Sequence, residues 1–164
     1  MARCLRWARP ALWRLCKHSG AATMAKSILT YRGAVYPWHC DHMGHMNVMW
    51  YVGKFDEGTW NLFSAVGFTQ ELMRANNSST AGVEQNISYK KELLPGDTIT
   101  IYTTVLEVRD RVVRLQHEMH KNDSNELAAV MALTAVHLDG ASRRATAFPA
   151  PVKEKLVALC GSEI

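Results

Sequence analysis

The nine residues from His39 to Asn47 concentrate side chains that could do chemistry. They read His-Cys-Asp-His-Met-Gly-His-Met-Asn and supply one carboxylate, one thiol, three imidazoles and a glycine. A strongly helical segment follows directly. The first N–H groups of a helix are unpaired and lie at the positive end of its dipole, so this point can hold an anion or polarise a carbonyl. Asp41, just before it, could then activate a water molecule.

The same nine residues allow two other kinds of site. His39, His42 and His45 recur at intervals of three beside Asp41 and Cys40, which suits a zinc or iron site. We expect no metal, because the stretch has the character of a loop and no second ligand cluster follows downstream. A Cys40 nucleophile paired with a histidine is the other alternative. A neighbouring carboxylate disfavours the thiolate that this role needs.

The segment after the motif predicts one long helix over residues 47–66, with Asn47 as its N-cap. Its apolar side chains recur at helical spacing and form one broad buried stripe. Gly53 and Gly58 within it suggest the close approach of another backbone. The stripe consists of Val48, Tyr51, Val52, Phe55, Leu62, Phe63 and Val66.

Other side chains of this helix fall away from the centre of the stripe. Asp56 and Glu57 are reserve carboxylates that we expect on the solvated face. Trp50 and Trp60 indicate either packing between subunits or an aromatic binding pocket, including a cage for a quaternary ammonium.

The remaining sequence is mostly typical of strands. Alternating and β-branched residues predict strands over 27–37, 81–93, 98–108, 112–120 and 127–138, with short helices over 69–74 and 149–159. The last three strands form an antiparallel meander. The fold class is therefore α+β, with a hotdog-like five-stranded antiparallel sheet wrapped around one long helix. On pattern alone, an α+β sheet with another strand order stays open.

Composition divides the chain into two parts. Residues 1–26 carry six of the 19 Lys and Arg and no acidic residue, so 13 basic residues face 15 acidic ones in residues 27–164. This mildly acidic part, in a chain of 164 residues with 48% hydrophobic content, fits a single globular domain. It offers no basic stripe for nucleic acid, and no apolar run long enough to span a membrane.

The basic residues 1–26 have the character of a mitochondrial transit peptide. They combine arginines with Trp7, Leu12, Trp13 and Leu15, and no uninterrupted apolar run suggests a secretory signal. We therefore expect the protein in the mitochondrial matrix. Use of Met24 as an internal start would give a cytosolic form. Cysteines without a C-x-x-C pair are expected to be free thiols.

Several of these residues resemble the hotdog-fold acyl-CoA thioesterases of the 4-hydroxybenzoyl-CoA thioesterase type. The resemblance runs through Asp41-x-x-Gly44-His45-x-Asn47 and Tyr51, then Ile87-x-Tyr89 and Pro95-Gly96-Asp97, and covers about residues 28–140. It implies a homodimer with joined sheets, or a homotetramer, with active sites at the dimer interface. It also implies that Asp41 is the catalytic carboxylate.

The residues and the resemblance together predict hydrolysis of an acyl-CoA thioester, with no cofactor beyond the CoA of the substrate and a place in lipid metabolism. Asp41 acts as general base or as nucleophile, and a backbone N–H near Gly44 to Asn47 holds the carbonyl oxygen. Gly44 would leave room for the thioester. His45, Asn47 and Tyr51 are candidates for substrate contact, against structural roles in the loop, the helix cap and the core. The alternative function is a hotdog protein that binds acyl-CoA, or an acyl-carrier partner, without hydrolysing it.

Overall fold

A computed structural model describes residues 26–160 of the chain. These residues form five strands, three helices and one 3-10 turn at Pro37–His39. In chain order the elements are β1 (Ser27–Ala34), α1 (Val48–Ala65), α2 (Gln70–Ala75), β2 (Ser78–Tyr89), β3 (Thr98–Val108), β4 (Val112–Lys121), β5 (Leu127–Asp139) and α3 (Ala150–Cys160).

The strands make one antiparallel sheet in the order β1-β3-β4-β5-β2. Side chains of β3, β4 and β5 alternate between buried and partly exposed positions, as expected for strands that turn one face to a core. The predicted meander of the last three strands is confirmed. β1 and β2 are the two edges, and most of β2 is exposed along its length.

Helix α1 lies against the buried face of the sheet. Phe55 and Leu62 on its stripe are completely buried, and the Phe55 ring lies 5.9 Å from the ring of His117 on β4. Asn47 caps the helix as predicted, because its side chain accepts a hydrogen bond from the Met49 N–H. This is the predicted α+β arrangement of a curved sheet around one long helix.

The predicted close approach of another backbone is wrong at Gly53, and at Gly58 it is side chains that approach. A Cβ atom at Gly53 would have no heavy atom within 4 Å, so nothing approaches closely there. At Gly58 the neighbours are side chains, with Thr30 Oγ1 at 3.1 Å and Ile101 Cγ2 at 3.7 Å from the position of a Cβ atom. Gly58 therefore lets α1 sit close to β1 and β3, and Gly53 has no packing role.

Strand β2 differs from its predicted bounds at both ends. It begins at Ser78, because Asn77 takes a positive φ of 44° and the next residue already pairs with Asp139. It ends at Tyr89, where the N–H groups of Lys90 and Lys91 both turn to the carbonyl of Ala128. Within residues 26–160 no helix is long and apolar enough to cross a membrane.

Candidate functional site

The loop between β1 and α1 is closed by its own backbone. The Asp41 carbonyl accepts from the Gly44 N–H at 3.0 Å, and the Asn47 N–H donates to the His39 carbonyl at 2.9 Å. Gly44 has a φ of +85°, which a residue with a side chain adopts only with strain. A Cβ at Gly44 would meet nothing within 4 Å in the protein, so the backbone conformation is what calls for glycine.

Asp41 sits at the start of α1 with both carboxylate oxygens held. Oδ1 accepts from the Met43 N–H at 2.9 Å, and Oδ2 accepts from Asn47 Nδ2 at 2.8 Å. Since Asn47 Oδ1 also accepts from the Met49 N–H at 3.1 Å, one side chain caps the helix and orients the carboxylate. Asn47 is therefore the predicted helix cap, and the same amide also fixes the Asp41 carboxylate.

The electrostatics of this corner keep Asp41 ionised. The Asn47 hydrogen bond and then the Met43 N–H lower the pKa of the Asp41 carboxyl, and His45 and His42 add smaller contributions in the same direction. The side chain is partly exposed. Asp41 is therefore an oriented carboxylate that carries its charge at neutral pH.

The structure narrows the choice of oxyanion donors. The N–H of Gly44 is used within its turn, and the N–H groups of Met46 and Asn47 donate to the carbonyls of Leu93 and His39. The N–H of Val48, the first residue of α1, has no acceptor among residues 26–160. The N–H of His45 also has no acceptor among these residues, but the N–H of Val48 is the one at the first turn of α1, where the helix dipole is positive.

A cavity of about 350 Å³ opens beside this helix start. The Tyr51 ring is 4% exposed, and its hydroxyl donates to the Lys91 carbonyl at 3.1 Å. Burial raises the pKa of Tyr51 to about 12, so its hydroxyl stays protonated. The Tyr89 ring meets it edge-on at 5.2 Å. The lining residues are His45, Met46, Val48, Tyr51, Tyr89, Lys90, Lys91 and Glu92.

The three loop histidines have different surroundings. His39 is buried and accepts the Tyr36 N–H at Nδ1, and burial followed by the charge of Lys54 lowers the pKa of His39. His42 is exposed, and His45 Nε2 lies 3.7 Å from Glu92 Oε1. In residues 26–160 no three His, Cys, Asp or Glu side chains come together as metal ligands. Cys40 Sγ contacts the Tyr36 carbonyl at 3.8 Å, not an imidazole.

The sequence reasoning missed three side chains near the site. Tyr36 and Trp38 stack with centroids 4.6 Å apart, in the loop before Asp41. Lys54 is only 3% exposed, and its Nζ donates to the Tyr31 hydroxyl at 3.0 Å. A charged residue within the apolar stripe of α1 was the available signal for Lys54.

Asp56, Glu57 and Trp60 lie farther along α1 than the residues that surround Asp41. Asp56 and Glu57 are exposed, as predicted, and Asp56 Oδ2 accepts from Trp60 Nε1 at 3.1 Å. Trp60 is 42% exposed and borders a separate groove of about 520 Å³ between β1 and α1. Trp50 is less exposed than expected, because the His39 ring packs on it at 4.3 Å.

A sequence model of the thioesterase-like superfamily matches residues 35–156. Because this match covers most of the chain and includes the Asp41 loop, the protein belongs to the thioesterase-like superfamily. The predicted family and class of protein are thus confirmed.

One relative is consistent with this assignment. The L-carnitine dehydrogenase/betainyl-CoA thioesterase of Agrobacterium fabrum (strain C58) is 28% identical over 109 residues, which are 66% of this chain and 22% of that protein. This chain therefore spans about a fifth of the length of that relative.

Solved structures share the fold at lower identity. A Staphylococcus aureus protein in complex with CoA has a TM-score of 0.78 at 19% identity, covering 82% of this chain and 85% of that one. The probable thioesterase YbaW of Escherichia coli has a TM-score of 0.68 at 21% identity, covering 81% and 99%. A 1,4-dihydroxy-2-naphthoyl-CoA thioesterase from Synechocystis has a TM-score of 0.72 at 17% identity, covering 82% and 96%. These similarities confirm the predicted hotdog fold.

Proposed function

We propose that this protein hydrolyses acyl-CoA thioesters with Asp41 as its catalytic carboxylate and no further cofactor. The observation that carries the proposal is the pair of hydrogen bonds that the Asp41 carboxylate accepts, from Asn47 Nδ2 and from the Met43 N–H, at the start of α1. Membership of the thioesterase-like superfamily supports it. The Agrobacterium relative is named as a thioesterase of betainyl-CoA, which supports a CoA thioester as substrate.

The reaction needs a nucleophile at the acyl carbon and a donor for the oxyanion. Asp41 either takes a proton from a water whose oxygen attacks this carbon, or attacks it directly and forms a mixed anhydride that water then opens. In both routes the carbon–sulfur bond breaks, and the CoA thiolate leaves and takes up a proton. The N–H of Val48 stabilises the oxyanion together with the helix dipole.

The cavity beside the helix start has a place in this scheme. Tyr51 and Tyr89 give it an apolar wall, and Lys90, Lys91 and Glu92 together bring a net positive charge to its border. Lys91 Nζ also pairs with Glu126 Oε1 at 3.1 Å. Cations at the border of a cavity attract anionic ligands, so we assign the CoA arm and its phosphates to this border.

The test is a thiol-release assay over a panel of acyl-CoAs with Asp41→Asn and Asp41→Ala. We expect both variants to lose about 100-fold or more in kcat/KM, the usual contribution of a positioned acid or base. Glu57→Gln, which removes an exposed carboxylate of the same helix, should keep full activity. Unchanged activity in both Asp41 variants would refute the assignment. Binding of acyl-CoA without cleavage by the native protein would support the non-catalytic alternative instead.

We also propose that two copies join through β2 in a homodimer, which can pair again into a homotetramer. Within residues 26–160, β2 pairs on one side only, and Val83 and Tyr89 on it are 61% and 48% exposed. An exposed edge strand of this kind is a template for another chain. Sedimentation analysis should give at least a dimer, and Val83→Lys should shift it toward the monomer. A monomeric native protein would contradict this proposal.

For residues 1–26 we propose a mitochondrial transit peptide that delivers the single domain of residues 27–164 to the matrix. Nearly all of this segment lies outside the described residues, and the proposal rests on its arginines and its lack of acidic residues. A reporter fused behind residues 1–26 should enter mitochondria. A cytosolic reporter would contradict the proposal and favour the form that starts at Met24.

A further inference from the structure

Four rings form a continuous aromatic cluster just before Asp41, which we call the aromatic ledge: Tyr36, Trp38, His39 and Trp50. The Tyr36 and Trp38 rings are parallel to within 5° at 4.6 Å. His39 meets their rings edge-on at 5.5 and 5.9 Å and lies 4.3 Å from the Trp50 ring. Trp38 is nevertheless 66% exposed and Tyr36 48% exposed. Stacked aromatic rings that face solvent beside a candidate catalytic group indicate a binding surface.

The ledge is held in place by the same backbone that positions Asp41. Pro37 begins the 3-10 turn that carries Trp38, and the Tyr36 N–H donates to His39 Nδ1 at 3.1 Å. The His39 carbonyl in turn accepts the N–H of Asn47, the residue that orients Asp41. The exposed rings are therefore preorganised, and the same loop carries them and the candidate carboxylate Asp41.

The charge around the ledge favours a cation. From Val35 to Gly53 the only Asp, Glu, Lys or Arg is Asp41. Lys54 follows directly, and its charge acts on His39 of the ledge, but its side chain is buried and its Nζ donates to the Tyr31 hydroxyl and the Ala34 carbonyl, so it presents no cation at the exposed rings. The electron-rich faces of tryptophan and tyrosine attract cations, and a single carboxylate nearby adds to that attraction. An anionic group would find no cationic partner within this segment.

The cavity beside α1 has the opposite character and a different direction. Its lining includes Lys90, Lys91 and Glu92, and it reaches α1 at Val48 and Tyr51. Trp50 of the ledge is two residues from Val48, roughly half a turn around the helix. The aromatic ledge and the cavity that we assign to the CoA arm therefore meet α1 on different faces, and only the cavity has lysines in its lining.

We propose that the aromatic ledge binds a quaternary ammonium group carried by the acyl part of the thioester, so that Trp38 makes the protein selective for cationic acyl-CoAs. The inference rests on the proposed thioesterase function. It makes Trp38 a specificity residue, whereas Asp41 performs the chemistry on any acyl group that reaches it.

The test compares two thioesters of almost the same shape. Trimethylammonioacetyl-CoA carries the cation, and 3,3-dimethylbutanoyl-CoA replaces its nitrogen with carbon. We expect the native protein to prefer the cation by about 10-fold in kcat/KM, the range of a desolvated cation–π contact. Trp38→Leu keeps an apolar side chain without the ring, and should bring the ratio close to one while the neutral thioester is still cleaved. Trp38→Phe should keep part of the preference.

Trp60→Leu is the matched control, because it removes another exposed tryptophan that lies farther along α1 and should leave the ratio unchanged. Equal cleavage of both thioesters by the native protein would overturn the inference and leave the thioesterase function standing. A preference that persists in Trp38→Leu would assign it to the charge of Asp41 and also overturn the role of the ledge. Failure to cleave either thioester, or any other acyl-CoA, would overturn the proposed function and this inference with it.

Discussion

Substitutions of Asn47 can separate stability from catalysis, because its amide oxygen caps α1 and its amide nitrogen orients Asp41. Asn47→Ser keeps a side-chain oxygen for the N-cap, but its hydroxyl is too short to replace the 2.8 Å contact from Nδ2 to Asp41 Oδ2. Serine and asparagine cap helices about equally well, so we expect the free energy of unfolding to stay within about 0.5 kcal/mol. A carboxylate that has lost its orientation should lower kcat/KM by about 100-fold.

Asn47→Ala is the companion variant, since it removes the cap as well as the contact to Asp41. Loss of an N-cap costs about 1 kcal/mol, which for a domain of this size lowers Tm by roughly 2–6 °C. Thermal unfolding should therefore distinguish alanine from serine, whereas thiol release should not. Equal Tm values for the alanine and serine variants would contradict the role of Asn47 as helix cap. Native activity in the serine variant would contradict its role in orienting Asp41.

The pH profile gives a third measurement on the same residue. The Asn47 contact is the largest of the causes that lower the pKa of Asp41. Activity needs the ionised carboxylate, so it is lost as the pH falls through this pKa. In Asn47→Ser the loss should begin at a higher pH, and in Asn47→Asp at a higher pH still, because a like charge replaces the donor. If the loss of activity at low pH begins at the same pH in these variants, or at a lower one, the Asn47 contact does not lower the pKa of Asp41 as stated.

Three further outcomes follow from glycine geometry and from one buried imidazole. Gly44→Ala should cost about 1–2 kcal/mol in urea unfolding, because φ is +85° there. Gly53→Ala should add about 1 kcal/mol, since its Cβ meets nothing within 4 Å. Burial lowers the pKa of His117 from 6.5 to about 4, so stability should be complete above pH 6.5 and fall by about 3 kcal/mol toward pH 4. His117→Gln should remove that pH-dependent loss from the urea midpoints.

The parts of the fold that could be predicted are those whose signals are local. Strand β3 has its predicted bounds, because Pro95-Gly96-Asp97 and Asp110 mark turns on both sides of a β-branched run. Helix α1 follows its apolar period and its cap. The ends of β2 could not be found this way, since they depend on the pairing of Ser78 with Asp139 and on contacts of Lys90 with Ala128.

In the candidate site, too, only the contacts that have local sequence signals could be predicted. Asp41 and Asn47 are six residues apart, so their contact could be expected from a loop that leads into a helix. The Gly44 N–H donates to the Asp41 carbonyl within its own turn, and the residue types of the loop do not predict this hydrogen bond. The stack of Tyr36 on Trp38 is also hidden, because an exposed pair of aromatic residues in a loop has no periodic pattern.

The low pKa of Asp41 sets a condition on any mechanism that uses it as a base. A partly exposed carboxylate with two hydrogen bonds is charged but weakly basic. Removal of water from around it would raise its pKa and strengthen it as a base or nucleophile. In the proposed scheme the bound thioester does this, with its CoA arm on the side of Lys90 and Lys91 and its acyl group on the aromatic ledge. The groups that select the substrate would then also complete the environment in which Asp41 reacts.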